Sequence, residues 1–220
     1  MRKVFLLGCI FLGLKSFSQP LVELSKVESG IYFSDGKTIT SVDPTVVNTI
    51  KSGSVLLSIY GIKQKCLAQI DGKEANYILP PTTKFYFKFQ PESKELNSSN
   101  SNATNKVGEQ NYMNLLLSGS NSKAVSPNEF KLVKLKLKKG KRTFINGKYD
   151  QLGLTYQQSI KAKSIVDFKY KKVGDNLYEI NFPNGLTMGE YCFVYMSGVK
   201  GLNQFIELQS NFKVFDFSIK

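Results

Sequence analysis

Between residues 84 and 89 the chain reads Lys-Phe-Tyr-Phe-Lys-Phe, and this alternation restricts the fold more than any other feature of the sequence. Side chains two residues apart share a face only in extended backbone. Phe85, Phe87 and Phe89 therefore point one way and Lys84, Tyr86 and Lys88 the other, towards water. The same period sets Val166, Phe168 and Tyr170 against Asp167, Lys169 and Lys171. Across residues 130–139 it sets Val133, Leu135 and Leu137 against Lys134, Lys136 and Lys138. Strands with one apolar and one polar face belong to antiparallel sheets. Turn chemistry agrees, because Asp35-Gly36, Asp71-Gly72 and Asn146-Gly147 each lie between extended runs. Such dipeptides supply the positive φ angles of tight hairpins. The expected class is all-β and antiparallel.

Helix signals are few. Asp43-Pro44 ahead of Val46, Val47 and Ile50, with Gly53 beyond, predicts one short helix. Glu109 to Leu117 predicts another. From Pro91 to Lys106 the chain is polar, rich in Asn and Ser, with almost nothing to bury, and reads as a flexible loop. The organisation expected is two small sandwich-like lobes: an N-terminal β lobe at 19–90, a flexible linker or insertion at 91–122, and a C-terminal lobe at 123–220.

The first 18 residues read as a signal peptide. Arg2 and Lys3 precede an apolar run, Val4 to Leu14, and Ser16-Phe17-Ser18 offers a small-x-small cleavage site. The run is shorter than the ~20 residues a membrane span requires, and no later stretch is apolar enough to serve as one. Leu6-Leu7-Gly8-Cys9 offers the alternative of a lipoprotein anchored at Cys9, although the apolar segment before Cys9 is short. Either route gives an exported protein, placed in the periplasm, on the outer surface or outside the cell.

Charge narrows the partners. The chain carries 30 basic and 17 acidic residues, a formal +13. Without Arg2, Lys3 and Lys15, 27 basic residues face 17 acidic ones, a formal +10. Such a balance favours anionic partners. Nucleic acid is not expected, because the lysine-rich stretches lack arginine and carry no recognisable binding motif. The absence of histidine removes Ser-His-Asp and Cys-His catalysis and histidine-bearing zinc or copper sites. No metal and no cofactor is expected. Gly36-Lys37-Thr38 resembles the end of a phosphate-binding loop, but Ile31 stands where its first glycine belongs and Thr38-Ile39-Thr40 reads as strand, not helix. In an oxidising compartment Cys66 and Cys192 form a candidate disulfide; the alternative is two small buried hydrophobes.

The stretch 186–198, Leu-Thr-Met-Gly-Glu-Tyr-Cys-Phe-Val-Tyr-Met-Ser-Gly, spaces Leu186, Gly189 and Tyr191 as a tyrosine corner does. Its tyrosine hydroxyl is expected to bond back to nearby backbone. With the alternating segment at 176–183 and the terminal run at 212–219, residues 126–220 resemble an immunoglobulin or fibronectin type III-like sandwich. Three segments, "SPNEF…LVKL" from 126, "LTMGEYCF" from 186 and "VFDFSI" from 214, are similar to a recurring pattern in exported bacterial proteins of uncharacterised function, a resemblance that implies no activity. The corner and the final lysine also resemble the sorting domains of type IX secretion.

Three readings of function follow. The first is a non-enzymatic interaction or structural component of a cell-envelope or surface assembly, with envelope or surface proteins as partners. The second is a binding module for glycan or another anionic polymer, with Lys134, Lys136 and Lys138 as the contact face. The third, a glycoside hydrolase, would need two of Asp167, Glu179, Glu190 and Asp216 at about 5–10 Å.

Overall fold

A computed structural model describes residues 24, 27–52, 65–90, 124–149, 156–196 and 212–220. The signal segment, Cys9, the tract 91–122 and the helix expected at 109–117 lie outside these residues. The first half contributes β1 (Gly30–Ser34), β2 (Ile39–Ser41), β3 (Thr45–Val46), β4 (Asn48–Ser52), β5 (Lys65–Ile70), β6 (Ile78–Leu79) and β7 (Lys84–Lys88). The second contributes β8 (Phe130–Lys134), β9 (Lys136–Lys138), β10 (Lys141–Tyr149), β11 (Tyr156–Gln158) and β12 (Ile165–Val166). It ends with β13 (Lys169–Gly174), β14 (Leu177–Asn181), β15 (Gly189–Tyr195) and β16 (Lys213–Ile219). The protein is all-β, and every ladder among the described residues is antiparallel except the short pairing of β6 with β16.

These strands form three sheets. The first has the order β13-β14-β7-β1-β2; the central one runs β12-β8-β15-β16-β3, with β6 also on β16; the third runs β11-β10-β5-β4, with β9 beside β10. The central sheet is buried on both faces because its strands alternate two apolar sets. Tyr191, Phe193, Phe215, Phe217 and Ile219 pack with Ile31, Phe85 and Phe87 of the first sheet. Cys192, Val194, Val133 and Val214 pack with Ala68, Ile70 and Phe144 of the third. Phe193 lies 5.6 Å from Phe85, 5.0 Å from Phe87 and 5.7 Å from Phe217 between ring centroids. Each such ring contributes about 1.5–3 kcal/mol by leaving water.

Four expectations are corrected by this arrangement. Strands of the two expected lobes share sheets: β7 pairs with β14, β5 with β10, and β3 with β16. Residues 19–90 and 123–220 are interleaved, and 126–220 do not close a sandwich by themselves. The helix expected after Pro44 is instead β3 and β4, where Val47 is buried in the apolar layer next to the third sheet. Asn146-Gly147 is no hairpin, since β10 runs through it with a bulge between Ile145 and Gly147. Asp71-Gly72 ends β5 but joins it to no neighbouring hairpin strand, because β6 pairs with β16. The tight turn of this region lies at Lys139 and Gly140, with φ of 50° and 76°, between paired Lys138 and Lys141. Asp35-Gly36 does lie in the β1–β2 hairpin, where Asp35 Oδ1 accepts from the Lys37 and Thr38 amides at 2.8 Å each.

Candidate functional site

The polar face expected on β7 is only partly wet: Lys84 is exposed and Lys88 half-buried, but Tyr86 between them is not exposed. Tyr86 is buried with Tyr32, Leu177 and Leu24 on the outer side of the first sheet. Lys84 pairs with Glu179 at 3.3 Å, and Lys88 donates to the Asp175 carbonyl at 2.9 Å. These side chains are occupied in holding the sheet.

The corner residues come together. Leu186 and Tyr191 are buried, and the Tyr191 hydroxyl donates to the Thr187 carbonyl at 2.7 Å. Gly189 has φ 148°, a conformation that favours glycine, and a Cβ there would also push on the end of the Lys134 side chain, with Cε at 2.9 Å. Lys134 Nζ donates to Thr187 Oγ1 at 2.7 Å and to the Met188 carbonyl at 3.2 Å, and stands 5.4 Å from the centre of the Tyr191 ring. Lys134 is therefore part of the corner.

This separates it from its expected companions. The chain leaves the central sheet after Lys134, and Lys136 and Lys138 lie on β9 of the third sheet. The three lysines do not form one contact face. Leu137, expected to be buried with Val133 and Leu135, is 58% exposed for the same reason.

Cys66 and Cys192 are not bridged to each other. Both are fully buried, on strands of different sheets. Burial pushes the Cys192 thiol well above its ordinary range; Asp216 adds to the effect and Arg142 offsets part of it. In that state it is an inert apolar group, not a nucleophile.

Of the four acids considered for hydrolysis only Glu190 and Asp216 come together, and they do so on a buried arginine. Asp167 is exposed at the end of β12 and Glu179 pairs with Lys84. Glu190 and Asp216 both reach Arg142, whose side chain is buried between the central and third sheets. Arg142 Nη1 binds Asp216 Oδ2 and lies 3.6 Å from Glu190 Oε2, while Nη2 donates to the Asp71 carbonyl at 3.2 Å. Thr45 Oγ1 binds the other oxygen of Asp216, and Ser218 Oγ donates to Glu190 Oε1 at 2.7 Å. The Ala75 amide lies 3.1 Å from Glu190 Oε2 and from Ser218 Oγ. Both carboxylates are engaged in this network, and neither is placed as a solvent-facing acid or base. The segments beginning at 126, 186 and 214 are thus β8, β15 and β16, side by side in the central sheet, and their acids satisfy one another's surroundings. Among the described residues no group of three or more Cys, Asp and Glu gathers as metal ligands.

A basic cluster was not evident in the sequence. Cys66, Ala68 and Ile70 turn inward on β5, so Lys65 turns outward. Lys148 stands opposite Lys65, and Lys136 shares the outward face through Thr143 and Gln69. Lys161 precedes and Lys163 lies within the 3-10 turn Ala162–Ser164, and Lys161 is near enough to Lys65 and Lys136 to feel their charge. The Lys161 ammonium is held below the ordinary lysine range chiefly by repulsion from Lys163, then by partial desolvation, Lys65 and Lys136. Lys65, Lys136, Lys161 and Lys163 are all exposed, and none forms an ion pair among the described residues. Three separate segments bring like charges together without neutralising them. Among the described residues no helix is long and apolar enough to cross a membrane.

Compared with known protein families, curated proteins and solved structures, the chain matches none.

Proposed function

We propose that this is an exported, non-enzymatic interaction component of a cell-envelope or surface assembly, docking on the acidic face of a partner protein through the third sheet. The observation that carries the reading is the convergence of Lys65, Lys136, Lys161 and Lys163, none of them ion-paired among the described residues. Folding gains nothing from such mutual repulsion, which a negatively charged partner would relieve. The cluster is compact, gathered from β5, β9 and one turn, and so suits a matching acidic patch better than a long polymer. The buried Arg142–Asp216–Glu190 network supports a structural role for the acids of the central strands.

The test is affinity purification of the tagged mature protein from its native envelope, with Lys65→Glu/Lys161→Glu/Lys163→Glu run in parallel. A stoichiometric partner released by salt, and lost in the triple variant while its melting temperature is retained, supports the reading. Equal recovery by both proteins contradicts it. Recovery of an acidic polysaccharide with no protein partner would replace it with the anionic-polymer reading.

A further inference from the structure

At the end of the molecule where β12 leaves the central sheet and β13 joins the first, a cleft opens between the two sheet edges. Its floor is apolar: Phe130 is buried against Phe87 at 5.1 Å, and Phe168 lies 6.0 Å from Phe193. Its rim is exposed and chemically mixed, with Asn128, Lys131, Asp167 and Tyr170. Asp167 and Lys131 are the next residues along their strands after the paired Val166 and Leu132, yet they form no ion pair. Asn128 is set in place by the Ser126 cap, whose hydroxyl accepts from its backbone amide at 3.3 Å. Tyr170 is braced edge-on by Tyr178, 5.7 Å away.

We propose that this cleft binds one pyranose ring of an oligosaccharide. The rim sets the requirements. A ligand here must lay a flat apolar face on Tyr170 and also offer hydroxyls to the carboxylate of Asp167 and the amide of Asn128, with an acceptor for Lys131. A pyranose ring has that combination of an apolar face and a hydroxyl-bearing edge. An inorganic anion meets Asp167, a bare cation meets Lys131, and a wholly apolar ligand would strip water from both charges without replacing it. An extended peptide has no single ladder to join, because β12 and β13 belong to different sheets. Size decides in the same direction. The cleft offers about 90 Å³, whereas pockets that enclose a whole small molecule hold roughly 300–1,000 Å³. It suits one ring of a chain that continues into solvent. The residues involved are distinct from the lysines of the third sheet, so this inference stands or falls independently of the docking face.

The experiment is amide chemical-shift mapping of the isotope-labelled mature protein with cellotetraose, maltotetraose and chitotetraose. These probes are uncharged, so the lysine cluster contributes no background. Shifts confined to residues 128–131 and 165–170 with at least one sugar are expected. Tyr170→Ala should weaken that binding at least about tenfold. Asp167→Ala should weaken it too, at an exposed position where folding is not at stake. No localised shift from any of the three sugars up to about 10 mM, well above a millimolar Kd, overturns the proposal. So does binding that both variants retain, or binding that maps elsewhere.

Discussion

Replacing Asp216 by asparagine removes one charge from the centre of the protein at almost no cost in volume. Asp216 and Arg142 side chains are 5% and 4% exposed, so the guanidinium would lose its principal counter-ion away from water. Breaking a buried pair in this way costs about 3–5 kcal/mol. Here Glu190 at 3.6 Å and the Asp71 carbonyl at 3.2 Å remain, and the asparagine oxygen can still accept from Thr45. The expected loss is accordingly near ~3 kcal/mol, at the lower end of that range. For a chain of this size it corresponds to a fall in Tm of roughly 6–12 °C. The assay is urea unfolding of the wild type, Asp216→Asn, Arg142→Met and the double variant. Arg142→Met, which leaves Asp216 and Glu190 facing each other without their shared cation, should be the most costly single change, with Arg142→Met/Asp216→Asn recovering at least ~2 kcal/mol relative to the sum of the singles. Additivity within about 0.5 kcal/mol would refute the claim that the two groups are coupled.

Three further outcomes are expected. Tyr191→Phe should cost about 1 kcal/mol in urea unfolding, since the Thr187 carbonyl it leaves belongs to an exposed residue; an unchanged midpoint would remove the corner hydrogen bond from the account. Cys192, neutral in the fold, should resist thiol reagents at pH 8–9 until denaturant is added. Because its thiol pKa is raised on folding, the unfolded chain releases the proton first, and stability should decline as pH rises beyond the ordinary thiol range; a stability that rises with pH across that interval would contradict this. Lys161, held below the usual lysine range, should react with amine reagents faster than Lys138, and salt should narrow the difference by screening its neighbours. Equal rates in low salt, measured by peptide mass spectrometry, would dissolve the cluster.

What could be read from the sequence is what local geometry controls. Phe85, Phe87 and Phe89 alternate because extended backbone turns every second side chain the same way, and that needs no knowledge of partners. Leu186, Gly189 and Tyr191 are close in sequence, and the Tyr191–Thr187 bond spans only four residues. What could not be read is which sheet each strand joins. Thr45 meets Asp216 across 171 residues, and β7 lies between strands from both halves of the chain. Asn146-Gly147 shows the limit of turn chemistry. The dipeptide permits a tight hairpin, but here the strand continues and accommodates it as a bulge. The turn nearby places Lys139 at positive φ, an uncommon choice that composition does not flag. Lys134, Lys136 and Lys138 share a face only if residues 130–139 run as one strand. A change of sheet after Lys134 divided them and carried Lys136 towards Lys65 and Lys161, a grouping that only the tertiary fold creates.

The most direct test of the docking face is zero-length carbodiimide cross-linking in the native envelope, which joins lysines only to carboxylates in contact with them. Cross-links from Lys65, Lys136, Lys161 or Lys163 to aspartate or glutamate of a single partner protein, abolished by high salt, are expected. Cross-links that arise solely from lysines elsewhere, such as Lys169 and Lys171 on β13, would contradict it.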